Sequence, residues 1–171
     1  DTQVVTVTDN EAPTITAPAD VAVNADASSC DATGVALGSA TTADNCGVAS
    51  VTNDAPAVFP LGTTTVTWTV TDNAGLTATD TQIITVTDNE SPTITAPADV
   101  AVNTDASSCD ATGVALGSAT TADNCGVASV TNDAPAVFPL GTTTVTWTVT
   151  DNAGLTATDT QIITVTDNES P

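Results

Sequence analysis

The stretch Thr65-Val66-Thr67-Trp68-Thr69-Val70-Thr71 alternates apolar and hydroxyl side chains without a break. Successive side chains on a strand point to opposite faces, so it predicts a strand with Val66, Trp68 and Val70 buried and the threonines in water. The same period of two marks Val21–Asn24, Thr33–Leu37, Val48–Thr52, Thr64–Thr71 and Gln82–Thr87, with a short opening strand at Thr14–Thr16. Turn chemistry falls between these runs, at Asp44-Asn45-Cys46-Gly47, Asn53-Asp54-Ala55-Pro56, Pro60-Leu61-Gly62 and Asp72-Asn73-Ala74-Gly75. No helical period appears. Roughly seven short strands in a unit of this size predict an all-β fold, an immunoglobulin-like antiparallel β-sandwich.

The unit occurs twice. Pro13–Ser91 matches Pro92–Ser170 with one difference, Ala25 against Thr104. Residues 1–12 match 80–91, with Val4, Val5 and Ala12 in place of Ile83, Ile84 and Ser91. Self-similarity of this kind is the mark of a tandem array. The expected division is 1–11 as the last strand and linker of a preceding repeat, 12–90 and 91–169 as two whole repeats, and 170–171 as the start of another. The expected architecture is a linear rod of sandwiches.

Composition removes most chemistry. Lys, Arg and His are absent against 21 acidic residues, a formal charge of −21. No Ser-His-Asp or Cys-His pair can form. No phosphate clamp or Schiff base is available, and neither nucleic acid nor an anionic membrane surface would be attracted. No catalytic residues are expected. Hydrophobic residues still make up 40% of the chain, rich in Val and Ile, which separates it from acidic disordered sequences. No apolar run is long enough to insert in a membrane as a helix.

Immunoglobulin-like order returns alternate loops to the same end of a sandwich. That would gather Asp9, Asn10 and Glu11 with Asp44, Asn45, Asp72 and Asn73, and Asp88, Asn89 and Glu90 with Asp123, Asn124, Asp151 and Asn152. Calcium takes six to eight oxygens from such groups, and the set holds no imidazole for zinc. Two like charges about 4 Å apart repel by roughly 4 kcal/mol at an effective dielectric of 20. Without basic side chains, a cation or distance must relieve this. The plainer alternative is that these are ordinary Asp and Asn turn residues. Asp80 and Asp159 rank second as ligands, while Asp20, Asp26, Asp31 and Asp54 read as solvated charge.

Each repeat carries two cysteines, Cys30 and Cys46, then Cys109 and Cys125. Even counts in an exported chain predict disulfides. The simplest pairing is Cys30–Cys46 with Cys109–Cys125. The strand order sets Cys30 and Cys46 at opposite ends, so that pairing needs residues 38–45 to double back. The alternatives are a bond Cys30–Cys125 between repeats, or free thiols.

Three motifs in order carry a family resemblance. They are Asp88-Asn89-Glu90-Ser91-Pro92-Thr93-Ile94-Thr95-Ala96-Pro97-Ala98-Asp99-Val100, then Ala122-Asp123-Asn124-Cys125-Gly126-Val127, then residues 138–154 from Phe138-Pro139-Leu140-Gly141 to Asp151-Asn152-Ala153-Gly154. Together they resemble the HYR (hyalin repeat) domain. The resemblance implies an immunoglobulin-like module of extracellular adhesive proteins, bacterial surface adhesins among them. Family members often carry cysteines where this chain has Ala17 and Trp68. The linker also resembles the calcium-binding junction of cadherins. The expected function is structural or adhesive: a calcium-stiffened rod or filament outside the cell, partnered by neighbouring repeats or identical subunits. A module binding cell-surface glycans or protein is the first alternative, and an ice-binding threonine face a remote one.

Overall fold

The computed structural model describes residues 1–169; the expected start of a further repeat at 170–171 lies outside the described residues. The chain forms two compact units, Asp1–Asp88 and a second from Asn89 onward. The first contains β1 (Thr14–Thr16), β2 (Val21–Asn24), β3 (Asp31–Thr33), β4 (Thr41–Ala43), β5 (Val48–Asn53), β6 (Val58–Pro60), β7 (Gly62–Asp72) and β8 (Thr77–Thr87). The second repeats them as β9 (Thr93–Thr95), β10 (Val100–Asn103), β11 (Asp110–Thr112), β12 (Thr120–Ala122), β13 (Val127–Asn132), β14 (Val137–Pro139), β15 (Gly141–Asp151) and β16 (Thr156–Thr166).

In the first unit a four-stranded sheet runs β2-β8-β7-β5, and two ribbons, β1-β4 and β3-β6, supply the other layer. The hairpin β7–β8 is its backbone, with ten paired positions from Gly62↔Val86 to Thr71↔Thr77. One pair departs from the antiparallel expectation: β2 lies parallel to β8, Val21 opposite Ile84. The core follows from the period of two. Val66, Trp68, Ile84 and Val86 on the sheet meet Ala32 from β3, Phe59 from β6 and partly buried Ile15 from β1. The second unit packs Ala111, Phe138, Val145, Trp147, Ile163 and Val165 in the same way.

The expected strand Thr33–Leu37 ends at Thr33 instead. Gly34 and Gly38 take positive φ, +63° and +85°, and so turn the chain on either side of Val35 and Leu37. Those two side chains still pack against the core, but outside any ladder. The Leu37 carbonyl instead accepts a hydrogen bond from Gln82 Nε2 at 2.9 Å.

Gln82 is fully buried on β8. Its Oε1 accepts from the Trp68 indole at 3.2 Å, and its Nε2 also donates to the Ala19 carbonyl at 2.7 Å. One amide thereby satisfies the tryptophan and two loop carbonyls that no strand reaches. The Ala25-to-Thr104 difference between the repeats is less well accommodated. Thr104, in place of Ala25, buries its hydroxyl without a hydrogen-bond partner.

Replacing Gln82 with Leu keeps the bulk and orphans an indole N–H and two carbonyls. Each buried orphan costs about 1–3 kcal/mol, so Gln82→Leu is expected to destabilise the first unit by on the order of 3 kcal/mol or more. Chemical denaturation read by tryptophan fluorescence would show this as a lowered midpoint at one of the two units.

Candidate metal centre

The alternation that buries Val66, Trp68 and Val70 continues to Asp72, the last residue of β7. Asp72 is therefore turned inward and only 1% exposed. Its Oδ1 accepts the backbone N–H groups of Ala74 and Leu76, both at 2.8 Å, which shapes the β7–β8 turn. Its Oδ2 is buried with no hydrogen-bond partner.

Two other segments reach the same place. Asp44 closes the β4–β5 turn by accepting the Cys46 N–H on Oδ2 at 2.8 Å, leaving Oδ1 buried and unpartnered. Asp9 accepts the Glu11 N–H on Oδ1 at 3.1 Å, leaving Oδ2 in the same state. Carboxylate oxygens of Asp9, Asp44 and Asp72 lie within 4.8 Å of one another. Three carboxylates this close, each with one buried oxygen lacking a hydrogen-bond partner, fit a hard, oxygen-seeking cation such as calcium.

Polar ties hold the loops in this arrangement. Asn45 Nδ2 donates to Glu11 Oε2 at 3.1 Å, joining the β4–β5 turn to the segment before β1. Asn73 Nδ2 donates to the Cys46 carbonyl at 3.0 Å, and the Asn73 N–H to the Gly47 carbonyl at 3.1 Å. Gly47 is required twice over. Its φ is +100°, and a Cβ there would meet Asn73 Nδ2 at 2.8 Å.

Of the residues singled out from sequence, Asp9, Asp44 and Asp72 thus converge, Glu11, Asn45 and Asn73 tie the surrounding loops, and Asn10 is exposed. In sequence their equivalents in the second repeat are Asp88, Asp123, Asp151, Glu90, Asn124, Asn152 and Asn89. Within the second unit, Asp123 accepts the Cys125 N–H and Asp151 the Leu155 N–H, both at 2.8 Å. Asn152 Nδ2 donates to the Cys125 carbonyl at 3.0 Å. Asp88, Asn89 and Glu90 fall where the chain passes from the first unit to the second.

Most of the other aspartates named from sequence accept backbone N–H groups. Asp80 Oδ2 accepts the Ala17 N–H at 2.7 Å and its Oδ1 the Thr81 N–H at 2.9 Å. Asp20 receives the Ile83 N–H at 2.8 Å, Asp26 the Thr33 N–H at 2.9 Å and Asp54 the Thr67 N–H at 2.7 Å. Asp31 accepts the Ser29 hydroxyl at 2.7 Å. Asp20, Asp26 and Asp54 are exposed, in keeping with solvated charge, and each also latches one backbone N–H. Sequence reading missed these latches because the N–H groups they serve lie on segments paired only in three dimensions.

The within-repeat disulfides are excluded. Cys30 sits beside Leu61, whose N–H donates to its carbonyl, while Cys46 sits beside Asn73. The whole length of β7, 11 residues, separates those two points. That is about 35 Å, against a Cα separation of at most roughly 7 Å for a bond. Cys46 and Cys109 are free and exposed, and Cys30 and Cys125 are disulfide-bonded. The Cys46 thiol is held above its ordinary value, first by local desolvation, then by the charge of Asp9 and a hydrogen bond to it, and then by the charges of Asp44 and Asp72.

Two expectations follow. A maleimide should modify Cys46 and Cys109 without reductant, and Cys30 and Cys125 only after reduction; peptide mapping would read this. Hydrogen bonds from Ala17 and Ala96 first, then Thr81 and Thr160, hold Asp80 and Asp159 below the usual carboxylate range. Their contribution to stability is therefore complete above the unfolded value near pH 3.9 and is lost as pH falls through the lower folded values. Asp80→Asn with Asp159→Asn should flatten the fall in denaturation midpoint below about pH 4, compared with the unaltered chain.

Comparison with known proteins places the repeat. Residues 8–86 match the model of the HYR domain family. No curated protein matches. Among solved structures, extracellular cadherin domains 1–4 of protocadherin gamma B7 align with 13% identity and a TM-score of 0.41, over 92% of this chain and 51% of that one, so the chain spans about half of its length. Human protocadherin-24 EC1-2 aligns with 13% identity and a TM-score of 0.46, over 95% and 100% of the two chains. Mouse cadherin-23 EC22-24 aligns with 15% identity and a TM-score of 0.43, over 91% and 65%. Residues 8–86 are thus a HYR domain, and residues 87–165 repeat their sequence with two differences.

Proposed function

We propose that the chain is an extracellular structural repeat whose acidic loops are locked by calcium, so that tandem copies act as a metal-stiffened spacer of an adhesive protein or filament. The observation that carries this reading is the buried, unpartnered Oδ2 of Asp72 in a close carboxylate group with Asp9 and Asp44, each of which also has a buried oxygen without a partner. A buried acceptor without a donor is costly, and three carboxylates close together add mutual repulsion. With no Lys, Arg or His in the chain, a bound cation is the available relief. Calcium would be held by Asp9, Asp44 and Asp72, its remaining positions filled by nearby oxygens and water, and would supply charge neutralisation and crosslinking rather than reactivity. Among the described residues no helix is long and apolar enough to cross a membrane. The near-identity of the repeats favours a spacer over a recognising tip, because multiplying one unit sets length without adding specificity. Neighbouring repeats or identical subunits are the natural partners.

The test is a stability crossover. Millimolar calcium, the affinity range of extracellular modules, should raise the unfolding temperature relative to chelator. At a hundredfold excess over Kd the gain is about 2.7 kcal/mol. Asp72→Asn with Asp151→Asn keeps the turn-shaping carbonyl oxygen and turns an amide toward the other carboxylates. That variant should match or exceed the original chain in chelator and gain nothing from calcium. Equal calcium responses of the two chains would remove the proposed site, and no response from either would remove the metal.

A further inference from the structure

Residues 55–61 read Ala-Pro-Ala-Val-Phe-Pro-Leu, apolar throughout. They contain β6 and its flanks. Phe59 and Ala55 pack into the core, while Pro56, Ala57, Val58, Pro60 and Leu61 are exposed. On the ribbon, Val58 lies opposite Thr33 and Pro60 opposite Asp31, on the face turned away from the Ala32–Phe59 pair. The second unit repeats the pattern, with Phe138 inside and Val137 outside. Val58 and Val137 are 44% and 43% exposed, so the surface belongs to the repeat itself.

Charge sets this surface apart. Residues 55–71 hold no Asp or Glu, the longest such stretch in the repeat. Only the margin is acidic, with Asp54 before the run and Asp31 across the ribbon from Pro60. A basic partner would be drawn to carboxylate-rich surfaces instead. An uncharged apolar patch suits another uncharged apolar patch, since the centres of interfaces are depleted of charge. Two molecules of formal charge −21 repel each other least through such a face, and a second copy of the chain carries one in each repeat. Addition of a strand is disfavoured here. Pro56 and Pro60 lack an N–H, and the Leu61 N–H is given to the Cys30 carbonyl. Side chains must therefore make the contact.

We infer that the outward face of β6 and its flanks, Pro56 to Leu61, pairs side by side with the same face on a second copy of this chain. Its five exposed residues fall short of the roughly 20–30 that a stable interface uses on each side, so one pair of patches associates weakly. Tandem copies that hold several pairs at once associate more strongly. The inference rests on the reading of identical subunits as partners, and not on the proposed cation.

Sedimentation equilibrium of the full chain in chelator, up to millimolar protein, reads the pairing. The weight-average mass should rise with concentration, and rise further in high salt, which screens Asp31 and Asp54. Val58→Asp with Val137→Asp should weaken association by about tenfold or more, because the contact would then bury charge. Both positions are exposed, and an unchanged denaturation midpoint would verify folding. Thr79→Asp with Thr158→Asp adds the same charge at exposed positions of β8 and β16, and should associate like the original chain. A chain that stays monomeric at every concentration and salt level would overturn the inference. So would association that falls with salt, or equal losses in the two variants, since either means contact through charge and not through β6. Chelator keeps this result apart from the calcium test, which reads thermal stability, so either can fail alone.

Discussion

A carboxylate with no cationic side chain to meet must find backbone N–H groups, water or a metal ion. That constraint governs this protein, because its 21 acidic residues face no Lys, Arg or His. The chain answers it mostly with backbone. An ionised carboxylate accepts up to about four hydrogen bonds and donates none, so it suits N–H groups that a sheet leaves over. Asp80 on β8 takes the Ala17 N–H just beyond β1, and Asp20 before β2 takes the Ile83 N–H on β8. These two bonds run in opposite directions between the same parts of the fold, and they tie the short first ribbon to the four-stranded sheet. Charge that would be a liability on a surface thereby does the work of missing ladder bonds.

The core obeys a related economy. Few aromatic residues are available, so Trp68 and Phe59 fill the space between layers, with Val and Ile around them. Burying an indole requires an acceptor for its N–H. Gln82 provides it and spends its own amide on carbonyls of two irregular segments. The loops over the core are thus fixed from beneath by a polar group in the sheet, which lets residues 34–40 depart from strand geometry while Val35 and Leu37 still pack.

Sequence made some of this legible. The alternation at Val66, Trp68 and Val70 revealed β7 because one face is buried and the other wet, the condition under which period two is visible. The pair β3-β6 stayed hidden: each strand has three residues, too few to display a period, and the buried ones are Ala32 and Phe59. The convergence of Asp9, Asp44 and Asp72 could be read because each lies at a strand end or turn whose position follows from the order of strands. The cysteine pairing could not be read from spacing, since residues close in sequence lie at opposite ends of β7. The role of Gln82 left no sequence signal, because a polar residue at an inward position looks like a break in the pattern until its partners are placed.

Asp72 joins these themes. It is both the last inward position of β7 and the deepest member of the carboxylate group. Two residues back along the same face lies Val70, then Trp68, then Val66, all in the core register. The position of the unpartnered oxygen is therefore set by the packing of the strand behind it and not by loop conformation alone. Asp9 and Asp44 differ in this respect, as they are placed by turn hydrogen bonds at the surface. With one carboxylate anchored to a core strand and two in turns, neutralisation by the proposed cation would draw the turns toward the anchored member. Under the proposed cation, Asp72 would stay held by the sandwich and the chain before β1 would be drawn toward it.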